Sequence, residues 1–336
     1  MTPVATTTRP ATAPTTTPAT TPATAPPAAR PALDLGVVVV THDSAAHLDP
    51  LLASLGDALA GLRARVVVVD NDSTDGTVAR LRRHGGVEVV ARTDNRGYAA
   101  AINVGLARLG GTPAVLVLNP DLVLRPGSVG RLLAVAGDRG VGIVVPQIRT
   151  PTGAVYRSLR REPTVGRALG TAVLGGRLAG RSPRLSETVG DDRAYRRRHD
   201  VDWATGAALL VTRACLDAAG PWDESFFLYS EETDFADRAR RAGFRVVYEP
   251  TAAVVHTGGE SMTSPRLRSM LAVNRVRYFR RRHAGLASAA FFAAVLGNEV
   301  TRGLLGSRAA WAAAHALVRP SARPAELACA DRLVPR

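Results

Sequence analysis

The chain has 336 residues, 46% hydrophobic and 21% charged, enough for one large core or two modest ones. Its formal net charge of +14 comes from 43 basic residues that are all arginine, so a P-loop, which needs its lysine, is excluded. The arginines cluster at 160–161, 193–198 and 275–282, but aromatic residues make up only 5% of the chain and do not interleave them, so no nucleic-acid partner is expected.

Cys215 and Cys329 are far apart and outside any C-x-x-C spacing, which argues against a disulfide framework or a zinc site. The N-terminus lacks an apolar h-region, and no apolar run reaches the ~18–20 residues that span a bilayer. The expected location is the cytoplasm, or the inner face of the plasma membrane.

Residues 1–33 are almost wholly Thr, Ala and Pro and are expected to form a disordered tail. Leu35 begins a β-branched strand, LGVVVVTHDS, and a helical pattern with Leu48, Leu51, Leu52, Leu55 and Leu59 on one face follows. ARVVVVD at 64–70 is a second strand ending in NDSTDGT; VEVVAR at 87–92 is a third. NRGYAAAINVGL turns helical near Tyr98, and AVLVLNPD at 114–121 is a fourth strand. Continuous Val and Leu strands alternating with amphipathic helices predict a mostly parallel sheet flanked by helices, with ligand beyond the carboxyl ends of the strands. The polar residues gather at those ends, at 41–44, 70–75 and 119–121.

GIVVPQI after Val141 reads as another strand, whereas 150–200 is rich in Arg and Gly and weakly periodic, which suggests a loop or small helices. VDWATGAALLVTRACLDAAG at 201–220 reads as a turn, a strand and a short helix. From Pro265 the pattern is helical, and Arg275, Arg277, Arg280, Arg281 and Arg282 lead into LASAAFFAAVLG at 286–297. That arrangement suits a helix lying on an anionic membrane surface, and equally a C-terminal hairpin packed on the core.

The acids Glu231, Glu232 and Asp234 stand ahead of a helical segment, and the strand after it ends on His256. Crowded carboxylates repel unless a cation or donors sit among them, which points to a catalytic base beside a metal. The same acids also suit a helix N-terminus, where they complement the macrodipole. Asp70, at a strand tip, can accept from a base N–H or a ribose hydroxyl, and Asp75 is a candidate N-cap. The sequence Asn119-Pro120-Asp121 is an ordinary turn signal that can also hold Mg²⁺ or Mn²⁺ through oxygen.

Taken in order, VVVVTHDS, VVVVDNDSTDGT, NRGYAAAINVGL, VLVLNPD, VDWATGAALL, GPWDESFFLYSEETDFADRARRAG and the His256 segment resemble a family 2 glycosyltransferase of the GT-A fold, and bacterial rhamnosyltransferases above all. The resemblance covers residues 35 to about 260 and implies a glycosyltransferase domain at 34–262, with a C-terminal helical region at 263–336. It implies a donor pocket of Thr41, Asp70, Asn95, Gly97, Asn119 and Asp121, and a metal held by Asp121 and His256. Trp203 and Gly206 would lie on the loop beside donor sugar and acceptor, and Glu232 would be the base, supported by Glu231 and Asp234. Three departures from the family pattern stand out: His42-Asp43 replaces Tyr-Asn, Asn119 replaces the first acid of the DXD motif, and the base is Glu instead of Asp.

The implied activity is metal-dependent, inverting transfer of a sugar, L-rhamnose foremost, from a dTDP- or UDP-sugar to a lipid-linked or polysaccharide acceptor, with peripheral membrane contact. A nucleotidyltransferase, or a non-catalytic binding module of the same fold, are the alternatives.

Overall fold

The four valines at 37–40 are buried without alternation, because the strand that carries them is covered on both faces and has neighbours on both edges. A computed structural model describes residues 1–3, 33–258 and 264–327. The expected tail, Cys329 and the expected boundary at 262–263 lie essentially outside the described residues.

Strand β1 (Leu35–Thr41) pairs in parallel with β2 (Ala64–Asp70), and β2 with β3 (Glu88–Ala91). On its other edge β1 pairs in parallel with β4 (Ala114–Leu118). Helices α1 (Leu48–Ala58), α2 (Thr77–His84) and α3 (Tyr98–Leu109) lie between these strands in sequence, as parallel pairing requires. Further strands are β5 (Leu122–Leu124), β6 (Val141–Arg149), β7 (Leu159–Arg160), β8 (His199–Asp200), β9 (Trp203–Ala204), β10 (Ala208–Thr212) and β11 (Arg245–His256). The main sheet runs β3-β2-β1-β4-β10-β6-β11-β5, with β10 antiparallel to both neighbours and β11 parallel to β6. Strands β7 and β9 form a small second sheet.

One face of the main sheet is covered by α1 and α4 (Ser128–Ala136), the other by α3, α6 (Arg213–Ala219) and α7 (Glu231–Arg241). A third core lies among α8 (Pro265–Arg280), α9 (Gly285–Leu304) and α10 (Arg308–Val318), where Val273, Val276, Phe279, Phe291 and Leu317 are fully buried. Each such side chain contributes roughly 1.5–3 kcal/mol of transfer free energy. Of the two arrangements expected for the C-terminus, this is the packed one. Phe291, Phe292 and Val295 are buried, while Arg275 pairs with Glu187, Arg281 with Asp223, and Arg282 with Asp234 and Asp237. Among the described residues no helix is long and apolar enough to cross a membrane.

The weakly periodic stretch at 150–200 contains one substantial helix, α5 (Val165–Ala179). Thr164 caps it by accepting from the Arg167 N–H, but Gly175 leaves helical geometry at φ 71°. The break shifts the phase of the apolar residues, which is why no single periodicity shows in the sequence.

Candidate active site

At the carboxyl ends of β1 and β2, Thr41 and Asp70 are register partners and both fully buried. Thr41 Oγ1 donates to Asp70 Oδ1 at 2.7 Å, Ser73 Oγ donates to the same oxygen at 2.6 Å, and the Ser73 N–H reaches Oδ2 at 3.0 Å. Three of the chain's own donors thus engage Asp70 and fix the turn that follows β2, leaving Oδ2 with a single hydrogen bond among the described residues. Asp75 is likewise spent on the chain, accepting from the Ala45 and Thr77 N–H groups.

Asn95 Oδ1 accepts from the Gly97 N–H at 3.0 Å. Gly97 has φ +91°, and a β-carbon there would fall 2.3 Å from the Phe227 carbonyl oxygen, to which the Tyr98 N–H donates at 2.7 Å. Only glycine permits this approach. It ties the start of α3 to the segment before α7, where Phe227, Tyr229 and Ser230 all have positive φ. Non-glycine residues held in that region store strain, and three so close together mark a segment whose geometry the surroundings dictate.

That segment delivers Glu231 and Glu232 as the first two residues of α7. Burial pushes both carboxyls above the usual carboxylate range, and the neighbouring Glu232 raises Glu231 further. For Glu232, backbone N–H groups, that of Gly206 among them, and the Arg160 guanidinium act against burial. Each of the two keeps one buried oxygen, Oε2, without a hydrogen-bond partner among the described residues. Tyr98 donates its hydroxyl to the Gly206 carbonyl at 3.1 Å; burial holds the phenol far above its ordinary pKa, and Glu231, Glu232 and Asp121 add to this.

The opposite wall comes from the tip of β4 and the end of β11. Antiparallel pairing of β11 with β5 sets His256 opposite Leu122, beside Asp121. Asp121 Oδ2 lies 3.0 Å from His256 Nε2, and Asp121 Oδ1 is buried without a partner among the described residues. A carboxylate and an imidazole converging with an unspent oxygen suit a small oxygen-loving cation. Among the described residues no group of three or more His, Cys, Asp or Glu side chains gathers for a metal, so these two would supply the protein's share and leave the rest to substrate oxygens and water.

One cavity of about 430 Å³ runs from the two acids to His256; Asn119, Trp203, Gly206, Glu231, Glu232 and His256 all line it, and Asp121 adjoins it through His256. Trp203 is held by its indole N–H donating to the Arg161 carbonyl at 3.1 Å. Asp234 stands apart from this convergence. Its two oxygens accept from Arg238 at 2.8 Å and from Arg282 at 2.7 Å, which makes it a bolt between α7 and α8. Thr41, Asp70, Asn95, Gly97 and Asp121 lie at strand tips and loops outside the cavity lining.

Sequence reading missed Tyr98, Arg160 and the cavity's far wall on α8 and α9. Tyr98 opens a helix in which an aromatic reads as core, and Arg160 is one arginine among many. The far wall meets the acids only through tertiary packing, which leaves no local pattern.

The Glycosyl transferase family 2 profile matches residues 36–198. The N-acetylglucosaminyl-diphospho-decaprenol L-rhamnosyltransferase of Mycobacterium tuberculosis is 38% identical over 235 residues, covering 66% of this chain and 75% of that protein. A low-salt glycan biosynthesis hexosyltransferase of Haloferax volcanii is 28% identical over 221 residues, 63% of this chain and 64% of that one. Among solved structures, the Pyrobaculum calidifontis mannosyltransferase in complex with GDP-Man and Mn²⁺ superposes with TM-score 0.52 at 18% identity, over 88% of this chain and 85% of that one. GalNAc-T7 with UDP, GalNAc and Mn²⁺ gives 0.58 at 16% identity, over 78% of this chain and half of the other. At such identities the likeness concerns the fold alone, and it agrees with the GT-A architecture expected from the motifs. By its profile match and its similarity to the mycobacterial enzyme, the chain belongs to glycosyl transferase family 2.

Proposed function

We propose that this glycosyltransferase moves L-rhamnose from a nucleotide-linked donor to a sugar carried on a prenyl diphosphate, with inversion at the anomeric carbon. The donor and acceptor classes rest on the mycobacterial relative, whose name gives both rhamnose and a diphosphate-linked acceptor. One observation carries the reading: Glu232 presents a buried, unpartnered oxygen in the cavity that His256, Asn119, Trp203 and Gly206 also line.

Glu232 acts as the general base, taking the acceptor hydroxyl's proton onto that oxygen as the hydroxyl oxygen attacks the anomeric carbon. Attack opposite the leaving diphosphate inverts the centre in one displacement. Burial keeps the Glu232 carboxyl basic, and Glu232 in turn raises its buried neighbour Glu231. Trp203 and Gly206 shape the sugar-facing loop. Asn95, Gly97 and Asn119 border the donor, while Thr41 and Asp70 support it from below by fixing the turn after β2.

Asp121 and His256 would hold Mg²⁺ or Mn²⁺, a fit supported by their 3.0 Å approach and the unspent Asp121 Oδ1. Such a cation, when bound, neutralises charge on the departing diphosphate.

The test is Glu232→Gln with a dTDP-rhamnose donor and a prenyl-diphosphate-linked N-acetylglucosamine acceptor. Transfer should fall by about 10²–10⁴-fold while the donor dissociation constant stays put. Undiminished turnover removes Glu232 from the role of base.

A further inference from the structure

The cavity that begins at Glu232 does not end at the transferase sheet. Its far wall is built by α8 and α9, where Arg268, Arg275, Asn298, Glu299 and Arg302 face the same space. These residues lie beyond the stretch matched by the family profile. The cationic end is as deliberate in its pairing as the acidic end is in its lack of it. Arg268 donates to Glu299 at 2.6 Å, both buried, and Arg275 donates to Glu187 at 2.5 and 3.2 Å. Glu299 is held in turn by the Asn298 amide at 2.8 Å. Each of those arginines is thereby neutralised.

Arg302 is the exception. It is half-buried, its side chain's one hydrogen bond among the described residues is a long 3.4 Å contact from Nε to the neutral Asn298 Oδ1, and no carboxylate pairs with it there. A half-buried guanidinium with both terminal nitrogens unspent, at the end of a cavity, is matched by an anion with paired oxygens. The cavity volume suits a small-molecule ligand. It is acidic where a hydroxyl must lose a proton and cationic where no carboxylate among the described residues balances the charge.

We infer that Arg302 binds the diphosphate of the acceptor, flanked by the Arg268–Glu299 and Arg275–Glu187 pairs, so that the acceptor sugar spans from there to Glu232. The inference rests on the proposed transfer to a diphosphate-linked sugar and adds the residue that would select for it. Recognition of the phosphates sets which hydroxyl-bearing molecules reach the base: a sugar lacking the diphosphate has nothing to hold at this end.

The experiment compares wild type, Arg302→Gln and Arg302→Lys in the full chain with two acceptors: N-acetylglucosamine on a short prenyl diphosphate, and an alkyl N-acetylglucosaminide without phosphate. With the first acceptor, Arg302→Gln should raise KM about tenfold or more, with Arg302→Lys restoring much of the loss; donor KM should not move. With the alkyl glycoside, wild type and both variants should coincide. An equal loss on both acceptors overturns the inference, because that is the signature of a structural role. A rise confined to donor KM overturns it too, since the guanidinium then serves the donor's diphosphate. If wild type glycosylates neither acceptor, the functional reading itself falls; if it transfers to both without preference, only the assignment of Arg302 is lost.

Discussion

The hydroxyl of Tyr98, the first residue of α3, donates to the carbonyl of Gly206 at 3.1 Å, and the N–H of that same glycine is turned to the Glu232 carboxyl. One peptide unit away from the Glu232 carboxyl, a phenol thus fixes the Gly206 loop against the proposed base. Tyr98→Phe keeps the ring and deletes the bond, leaving the Gly206 carbonyl without its donor. The expected cost is about 1 kcal/mol of stability, read as a lower thermal midpoint. Turnover should fall about tenfold with donor affinity unchanged, because the loop and the base lose their common reference. Steady-state kinetics beside donor titration separate the two effects.

The acid pair makes a pH prediction whose sign can be worked through. Burial raises Glu231 and Glu232 in the folded chain above their ordinary value of 4.5, so the native state holds their protons more tightly than the unfolded chain does. Their favourable contribution is present below that ordinary value and is lost as pH rises through the raised folded values. Glu231→Gln should therefore raise the thermal midpoint at pH 7 to 8 and leave it nearly unchanged at about pH 4. A variant equally stabilised at both pH values contradicts the assignment.

Activity has the matching limb. The base must be ionised, so kcat should rise with pH along a limb displaced above the usual carboxylate range. Arg160 opposes that displacement by favouring ionised Glu232. Removing the cation in Arg160→Met should move the limb to still higher pH without changing its plateau much. Movement in the opposite direction rules out the electrostatic role given to Arg160.

The parallel half of the sheet was legible because its signal is local: runs such as Val37–Val40 and Val66–Val69 have neighbours on both edges and helices over both faces, and bounds such as Ala64–Asp70 follow the apolar run. Glu231 and Glu232 were legible because they sit together in sequence at one helix start. The meeting of Asp121 and His256 depends on the β5–β11 register, and motif order alone implied it. Tyr98 and Arg302 left no trace, since each acquires its meaning from a partner brought by tertiary packing. Asp70 was readable as a strand-tip acid, but whether its oxygens face a ligand or the chain is a matter of ångströms that no pattern encodes.

The cation predicted at Asp121 and His256 gives a titratable dependence. Chelation should abolish transfer, and added Mn²⁺ or Mg²⁺ should restore it. His256→Ala removes one of the two proposed protein ligands, so the metal concentration for half-maximal rate should rise tenfold or more while saturating metal recovers much of kcat. Full activity of wild type under exhaustive chelation eliminates the cation from the mechanism.

Asp234 contrasts with the proposed base in the same short motif. It lies two residues beyond Glu232, yet both its oxygens are committed to Arg238 and Arg282, and Arg282 also grips Asp237 at 2.7 Å. The Asp234 side chain is 8% exposed and that of Arg282 15%, so little solvent is available to either if the partner is lost. Asp234→Ala leaves Arg282 with Asp237 as its one carboxylate among the described residues and loosens the end of α8 from α7, at a cost of about 3 kcal/mol. Below the unfolding transition, kcat per folded molecule should remain within about twofold of wild type, because Glu232 and its loop are untouched. A loss of turnover comparable with Glu232→Gln, in protein whose thermal midpoint has not moved, would return Asp234 to the catalytic set.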